Sequence, residues 1–261
     1  MLDMGDLTGK VVVVAGSATG VGAATARRLA ADGARVVLGD INEEGAKGVA
    51  ATIGDRGGTA TAFGFDISQA SDVNELMAYT THTYGGIDAL YNCAADFSEP
   101  MLFEDLDVVN TPLHIYQQAL SVNLGGFMLT CRAAIPTMLE RGGGAIVNTS
   151  SLASDTAERG MRMSYGISKA GVNALSRHIA VAYGKQNIRC NIVSLGMVLT
   201  EKLLVGLGQE MIARYTARIP APRATHPEDV AAVVSFLLSD DSRGINGHTV
   251  IIDGGQSVAT G

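Results

Sequence analysis

The sequence predicts an α/β fold: a single doubly wound domain with a parallel seven-stranded sheet and helices on both faces. Three observations lead there. Short runs rich in valine and isoleucine alternate along the whole chain with longer segments of helical period. The runs are mostly apolar on both faces, as expected of strands covered on both sides. No low-complexity linker or internal repeat divides the 261 residues, so one domain over 1–261 is the economical reading.

The strands are expected at 10–15, 35–40, 60–65, 87–91, 145–150, 188–194 and 249–252. Between them lie stripes spaced for one helix face. Ala46, Val49, Ala50 and Ile53 make one, and Val73, Leu76, Met77 and Thr80 another. Val230, Val233, Val234, Leu237 and Leu238 make the clearest. That helix has a start signal: Pro227 suits the first helical position, and Glu228 and Asp229 put negative charge in the first turn. The connections at 94–111 and 195–226 are too long for simple turns. Long segments after strand ends are where an open α/β sheet binds ligands, so both are expected to hold substrate.

Composition narrows the function. A net charge of −7 argues against a nucleic-acid or anionic-membrane surface. Cys93, Cys131 and Cys190 sit in apolar stretches, which suggests free thiols in a reducing compartment. No cysteine–histidine cluster has metal spacing, so no metal is expected. The acidic start lacks a signal-peptide pattern and no apolar run has membrane-spanning length, so a soluble, cytoplasmic protein is expected.

The first strand runs into Gly16-Ser17-Ala18-Thr19-Gly20-Val21-Gly22 and then a helix. Glycines there permit a tight turn and close approach of a pyrophosphate to the helix N-terminus, the dinucleotide cradle of a Rossmann domain. Ser17, Thr19 and Val21 belong to that cradle. Asp40 ends the second strand, where a carboxylate accepts from the adenosine ribose hydroxyls and repels a 2′-phosphate. Its neighbours Ile41 and Asn42 supply no cation, and Arg35 lies at the far end of the strand. NAD is therefore favoured over NADP. Asp40 is also a candidate N-cap for the following helix, a role that does not exclude the first.

Tyr165 and Lys169 are four residues apart, one turn along a helix face. A free tyrosine, with a pKa of about 10, is a poor base at neutral pH. A nearby ammonium lowers that value, making the pair a plausible device for moving a hydroxyl proton.

Taken in order, Gly16…Gly20-x-Gly22, Asn92-Cys93-Ala94-Ala95, Asn123, Ser150-Ser151, Tyr165-x-x-x-Lys169, Pro227-Glu228-Asp229-Val230-Ala231 and Asp253-Gly254-Gly255 resemble the single-domain short-chain dehydrogenase/reductase family. The resemblance covers nearly the whole chain. It implies that Tyr165 is the general acid/base, that Lys169 lowers its pKa and binds the nicotinamide ribose, and that Ser151 orients the substrate oxygen. It implies that Asn123 holds a proton-relaying water, that Asp66 and Ile67 meet the adenine, and that Asn92 braces the central strand beside the cofactor with Ala94. Val198 and Thr200 would meet the carboxamide. It also implies a homotetramer. The chain departs from the family pattern at Ala15-Gly16, at Cys93 and Ala95, and at Leu195-Gly196. Ser150 and Ser154 are competitors for the role of Ser151.

The long segments carry Phe97, Met101, Leu102 and Phe103, then Met197, Leu199, Leu203, Leu204, Leu207, Met211, Ile212 and Tyr215. They suggest either an apolar pocket for a hydrophobic, cyclic alcohol or ketone, steroid-like or alicyclic, or, equally, packing of the loops on the sheet or on a neighbouring subunit. Asp155, Glu158, Arg159 and Arg162 either add a polar contact or are solvated. The expected activity is an NAD-dependent oxidoreductase acting on a secondary alcohol. The alternatives are an NADPH-dependent 3-oxoacyl-thioester reductase and a non-catalytic dinucleotide sensor.

Overall fold

A computed structural model describes residues 5–157, 162–206, 208–217 and 219–259. Seven strands form one sheet: β1 Val11–Ala15, β2 Arg35–Asp40, β3 Thr59–Gly64, β4 Ala89–Asn92, β5 Gly144–Ser151, β6 Ile188–Leu195 and β7 Thr249–Ile252. Their order is β3-β2-β1-β4-β5-β6-β7, and every neighbouring pair is parallel. The expected seven-stranded doubly wound sheet is thus present, with strand ends displaced by a residue or two.

Strand alternation divides the core. Val12 and Val14 face one layer, formed with α1 (Gly20–Ala31), α2 (Glu43–Gly54) and, later in the chain, the helix over Pro227–Leu238. Val13 and Ala15 face the other, formed with α3 (Ala70–Tyr84) and the helices at Gly126–Glu140 and Met163–Tyr183. All five residues of β1 are fully buried, so the strand can be apolar at every position.

The long connections are more structured than their sequence suggests. The first holds α4 (Glu99–Phe103) and leads to α5 (Leu113–Leu120). A π-helical turn, Ser121–Gly125, joins α5 to α6 (Gly126–Glu140). Buried positions here fall at Ile115, Ala119, Asn123, Phe127 and Cys131, in steps of four. In a regular α-helix such a stripe drifts by about 40° per step, and the wider turn takes back part of that drift. After β5 comes α7 (Met163–Tyr183). The second connection carries α8 (Glu201–Gly206) and α9 (Gln209–Thr216), followed by α10 (Pro227–Leu238). Pro227 does open α10, and Asp229 accepts back from the His226 N–H.

Because the sheet is parallel, the C-terminal ends of all its strands lie along one edge. The chain changes direction between β1 and β4, which leaves a crevice at that edge. Among the described residues, no helix is long and apolar enough to cross a membrane.

Candidate active site

The glycine turn is built for close approach. Gly16 has φ +90°, and a Cβ there would stand 2.5 Å from the Ala94 nitrogen. A Cβ on Gly22 would collide with the Gly16 carbonyl. Gly20 has φ +54°, and a Cβ there would lie 3.1 Å from Thr200 Cγ2, so the second long connection reaches over the turn. At the start of α1, Thr19 is the N-cap residue but makes no side-chain cap, and the first turn has no acid. Those N–H groups are available to an anion. The residues therefore fit a dinucleotide pyrophosphate, as expected for Gly16, Gly20 and Gly22. Thr19 is exposed and Val21 partly buried at the same turn.

Asp40 serves that turn directly. Its Oδ2 accepts from the Ser17 and Ala18 N–H groups, each at 2.8 Å, and its Oδ1 from Asn42 N–H at 2.9 Å. The helix-cap role falls instead to Asn42, whose side chain accepts from Gly45 N–H at 3.0 Å. Ser17 is fully buried and its hydroxyl donates to the Gly39 carbonyl. Ile41 is 78% exposed beside the crevice.

Other expected cofactor residues divide by exposure. Asp66 is partly buried, and its Oδ1 accepts from both Ser68 N–H and Ser68 Oγ. Ile67 is buried, and its side chain closes on Gly126, where a Cβ would come within 2.7 Å. Asn92 does not face the crevice. It is fully buried, donates to Asn148 Oδ1 and accepts from Thr130 Oγ1, both at 2.8 Å, and Asn148 in turn donates to Ser176 Oγ. This polar chain braces β4 and β5 against α6 and α7. Ala94 donates its N–H to the Ala15 carbonyl beside Gly16. Val198 is buried and pairs with Thr225 in a single parallel bridge.

The Ser151 hydroxyl, at the end of β5, is near enough to Tyr165, in the first turn of α7, to pull its pKa down, and it accepts from the Ala153 N–H at 3.2 Å. The competitors are occupied elsewhere. Ser150 Oγ donates to the Lys169 carbonyl, while Ser154 Oγ donates to the Ser151 carbonyl and accepts from Asn173. Lys169, one turn beyond Tyr165, is 1% exposed. Its Nζ donates to the Thr149 carbonyl at 2.9 Å and lies 4.8 Å from the Phe127 ring centroid and 5.7 Å from that of Tyr165. Asn123 is buried in the π turn, a common place for functional side chains. Its Oδ1 accepts from Asp96 N–H and its Nδ2 donates to Ser168 Oγ.

The electrostatics differ from the expected lysine–tyrosine pair. Burial pushes Tyr165 above the ordinary tyrosine value, while the Arg162 charge and the Ser151 hydroxyl pull it down. Burial also brings Lys169 down to about 8. The reason is physical: a nearly inaccessible ammonium is costly, and burial disfavours phenolate as well. At neutral pH Tyr165 is a phenol.

Two contacts were not legible in the sequence. Asp105, 3% exposed, accepts from Ser164 N–H at 2.9 Å on Oδ1 and from Tyr165 N–H at 3.0 Å on Oδ2. It caps α7 from the first long connection, and nothing in the local pattern marks it. Arg162 was notable in sequence only as one of several charges. Its guanidinium carbon stands 4.7 Å from the Tyr165 ring centroid and 5.2 Å from that of Phe97.

The apolar segments are corrected in part. Met101 packs with Ile115 and Ala119 in a small separate core and does not line a pocket. Phe97 does reach the site, its ring centroid 5.9 Å from that of Tyr165. Leu102 and Phe103 are exposed, as is Leu204. Leu207, Glu158 and Arg159 lie outside the described residues, as do the side chains of Met211 and Tyr215. Among the described residues, no cluster of acidic, histidine or cysteine side chains forms a metal site.

A family model described as enoyl-(acyl carrier protein) reductase matches residues 15–257. The 7alpha-hydroxysteroid dehydrogenase of Bacteroides fragilis is 35% identical over 249 residues, covering 95% of each chain. A probable short-chain type dehydrogenase/reductase of Bradyrhizobium diazoefficiens is 42% identical over 256 residues, covering 97% of this chain and 89% of that relative. A solved 7 alpha-hydroxysteroid dehydrogenase complexed with NADH and 7-oxo glycochenodeoxycholic acid superposes with a TM-score of 0.90 at 29% identity, covering 97% of this chain and 96% of that one.

Proposed function

The chain belongs to the short-chain dehydrogenase/reductase family, and we propose that it uses NAD to interconvert a hydrophobic, cyclic secondary alcohol and its ketone. Oxidoreduction at an alcohol carbon follows from the family; the coenzyme and the substrate class are the proposal. The observation that carries it is the meeting of Ser151 and Tyr165 beside the glycine turn that Asp40 closes.

Nicotinamide, when bound, supplies the hydride chemistry. Gly16, Gly20 and Gly22 would hold the pyrophosphate, and Asp40, which already accepts three N–H groups, would take a ribose hydroxyl on its remaining lone pair. A 2′-phosphate would meet the Asp40 charge, and the Ser17 and Ala18 donors it would need are already taken. Ser151 would orient the substrate oxygen. In reduction Tyr165, a phenol at neutral pH, would donate its proton to the carbonyl oxygen; in oxidation the phenol would first lose its proton to solvent, and the phenolate would then take the hydroxyl proton. Lys169 would bind the nicotinamide ribose, and Asn123 would hold a water on the proton path.

Phe97 beside Tyr165 supports an apolar substrate, as does the similarity to a hydroxysteroid dehydrogenase. The description of the matching family model favours a second reading, a reductase of acyl-carrier thioesters. Asp40 and the net charge of −7 count against it, because that reaction calls for NADPH and a basic docking face. A cytoplasmic homotetramer is part of the proposal.

The test is NADH formation from NAD, run beside NADP, over hydroxysteroids, alicyclic alcohols, sugars and polyols. Turnover of the first two groups with NAD supports the reading. Turnover with NADP alone removes the coenzyme assignment, and turnover confined to polyols removes the substrate class.

A further inference from the structure

We propose that Arg162 reads a carboxylate on the substrate, so that the physiological alcohol or ketone is an amphipathic acid whose anionic group lies a few bonds from the reacting carbon. This rests on the dehydrogenase reading above. The guanidinium lies against both rings at the site, that of Tyr165, which moves the proton, and that of Phe97. A substrate oxygen placed at Tyr165 brings the neighbouring part of the molecule to this cation.

Among the described residues, Arg162 has no anionic partner. None of its nitrogens makes a hydrogen bond or ion pair with any described residue, and Nη1 is buried without an acceptor. The described carboxylates of the neighbouring segments have partners of their own. Asp105 gives both oxygens to the α7 amides, Asp155 Oδ2 lies 2.8 Å from Ser154 Oγ, and Asp96 accepts from Ser98 N–H and Gln118. Guanidinium is a planar fork of donors suited to a carboxylate, and stacking on aromatic rings holds its plane while leaving edge donors for a ligand. A cation kept unpaired beside apolar Phe97 selects a molecule with an apolar body and one acidic end.

The experiment is calorimetric titration of the NADH-loaded protein with cyclohexanecarboxylate and cholate, each beside its neutral carboxamide. Wild type is expected to bind the acids about ten- to a hundredfold tighter than the amides, as for a charge-assisted hydrogen-bonded pair. Arg162→Gln should abolish that difference while keeping amide and NADH affinity, and Arg162→Lys should restore part of it. Equal affinity of acid and amide for wild type overturns the proposal. So does an acid preference that survives in Arg162→Gln, or millimolar acid that fails to bind at all. Should the dehydrogenase reading itself fail, wild type would turn over no alcohol of any charge, and the acid–amide comparison would still stand.

Discussion

Asp105 offers the sharpest test of how the site is held. Replacing it with alanine leaves the Ser164 and Tyr165 N–H groups at the start of α7 without their acceptors, in a place where Asp105 is 3% exposed. A buried donor left unpaired costs about 1–3 kcal/mol, and loss of an N-cap costs about 0.5–2 kcal/mol. Two donors lose their acceptor, and the smaller cap figure keeps the sum toward the low end, so the expected total is about 2–4 kcal/mol. For a chain of this size that lowers Tm by about 5–15 °C. Asp105→Asn keeps one acceptor oxygen and should lose about half as much. Because Tyr165 is one of the two amides held, kcat should fall about 10- to 100-fold, as for a slightly misplaced catalytic group. NADH affinity should stay near wild type, since the glycine turn is on another element. Urea unfolding, steady-state kinetics and NADH fluorescence titration give the three readouts. An alanine variant within about 0.5 kcal/mol of wild type, the range of ordinary surface substitutions, would refute the reasoning.

Three further outcomes are expected. Tyr165→Phe should lower kcat by at least about 10²-fold with NADH binding kept; a loss of threefold or less, against that expectation, would remove the acid/base assignment. Lys169→Met should abolish turnover yet stabilise the fold near neutral pH. The folded Lys169 titrates at about 8 against 10.5 unfolded, so between those values the unfolded chain binds the extra proton and stability rises with pH. Below about 8 the full burial cost applies, on the order of 3 kcal/mol, and the variant's advantage in urea midpoint should shrink as pH rises toward 10.5; a pH-independent difference would contradict it. Gly16→Ala should weaken NADH binding by tenfold or more, because φ +90° and the Ala94 backbone leave no place for a Cβ; unchanged affinity would show that the turn yields.

The sheet was legible because strands buried on both faces announce themselves, and β1, valine at four successive positions, is the plainest case. The glycine turn and the Tyr165–Lys169 pair were legible because their chemistry depends on short spacings. Helices α4, α8 and α9 were not, being short segments inside connections that read as loops. The Asp105 cap joins positions 59 and 60 residues apart, a distance at which sequence pattern carries no signal. The Tyr165 shift was misread for another reason. Spacing shows that a lysine is near a tyrosine, but burial decides which protonation state each prefers.

The carboxylate at the end of β2 ties coenzyme choice to backbone conformation. Asp40 anchors the amides of Ser17 and Ala18 while presenting the charge that a 2′-phosphate would meet. A lineage drifting toward the phosphorylated coenzyme cannot simply discard that charge, because the turn that grips either coenzyme loses its anchor in the same step. An engineer faces the same coupling. Admitting the phosphate calls for a cation near Ile41 together with a neutral acceptor at position 40, introduced as a pair.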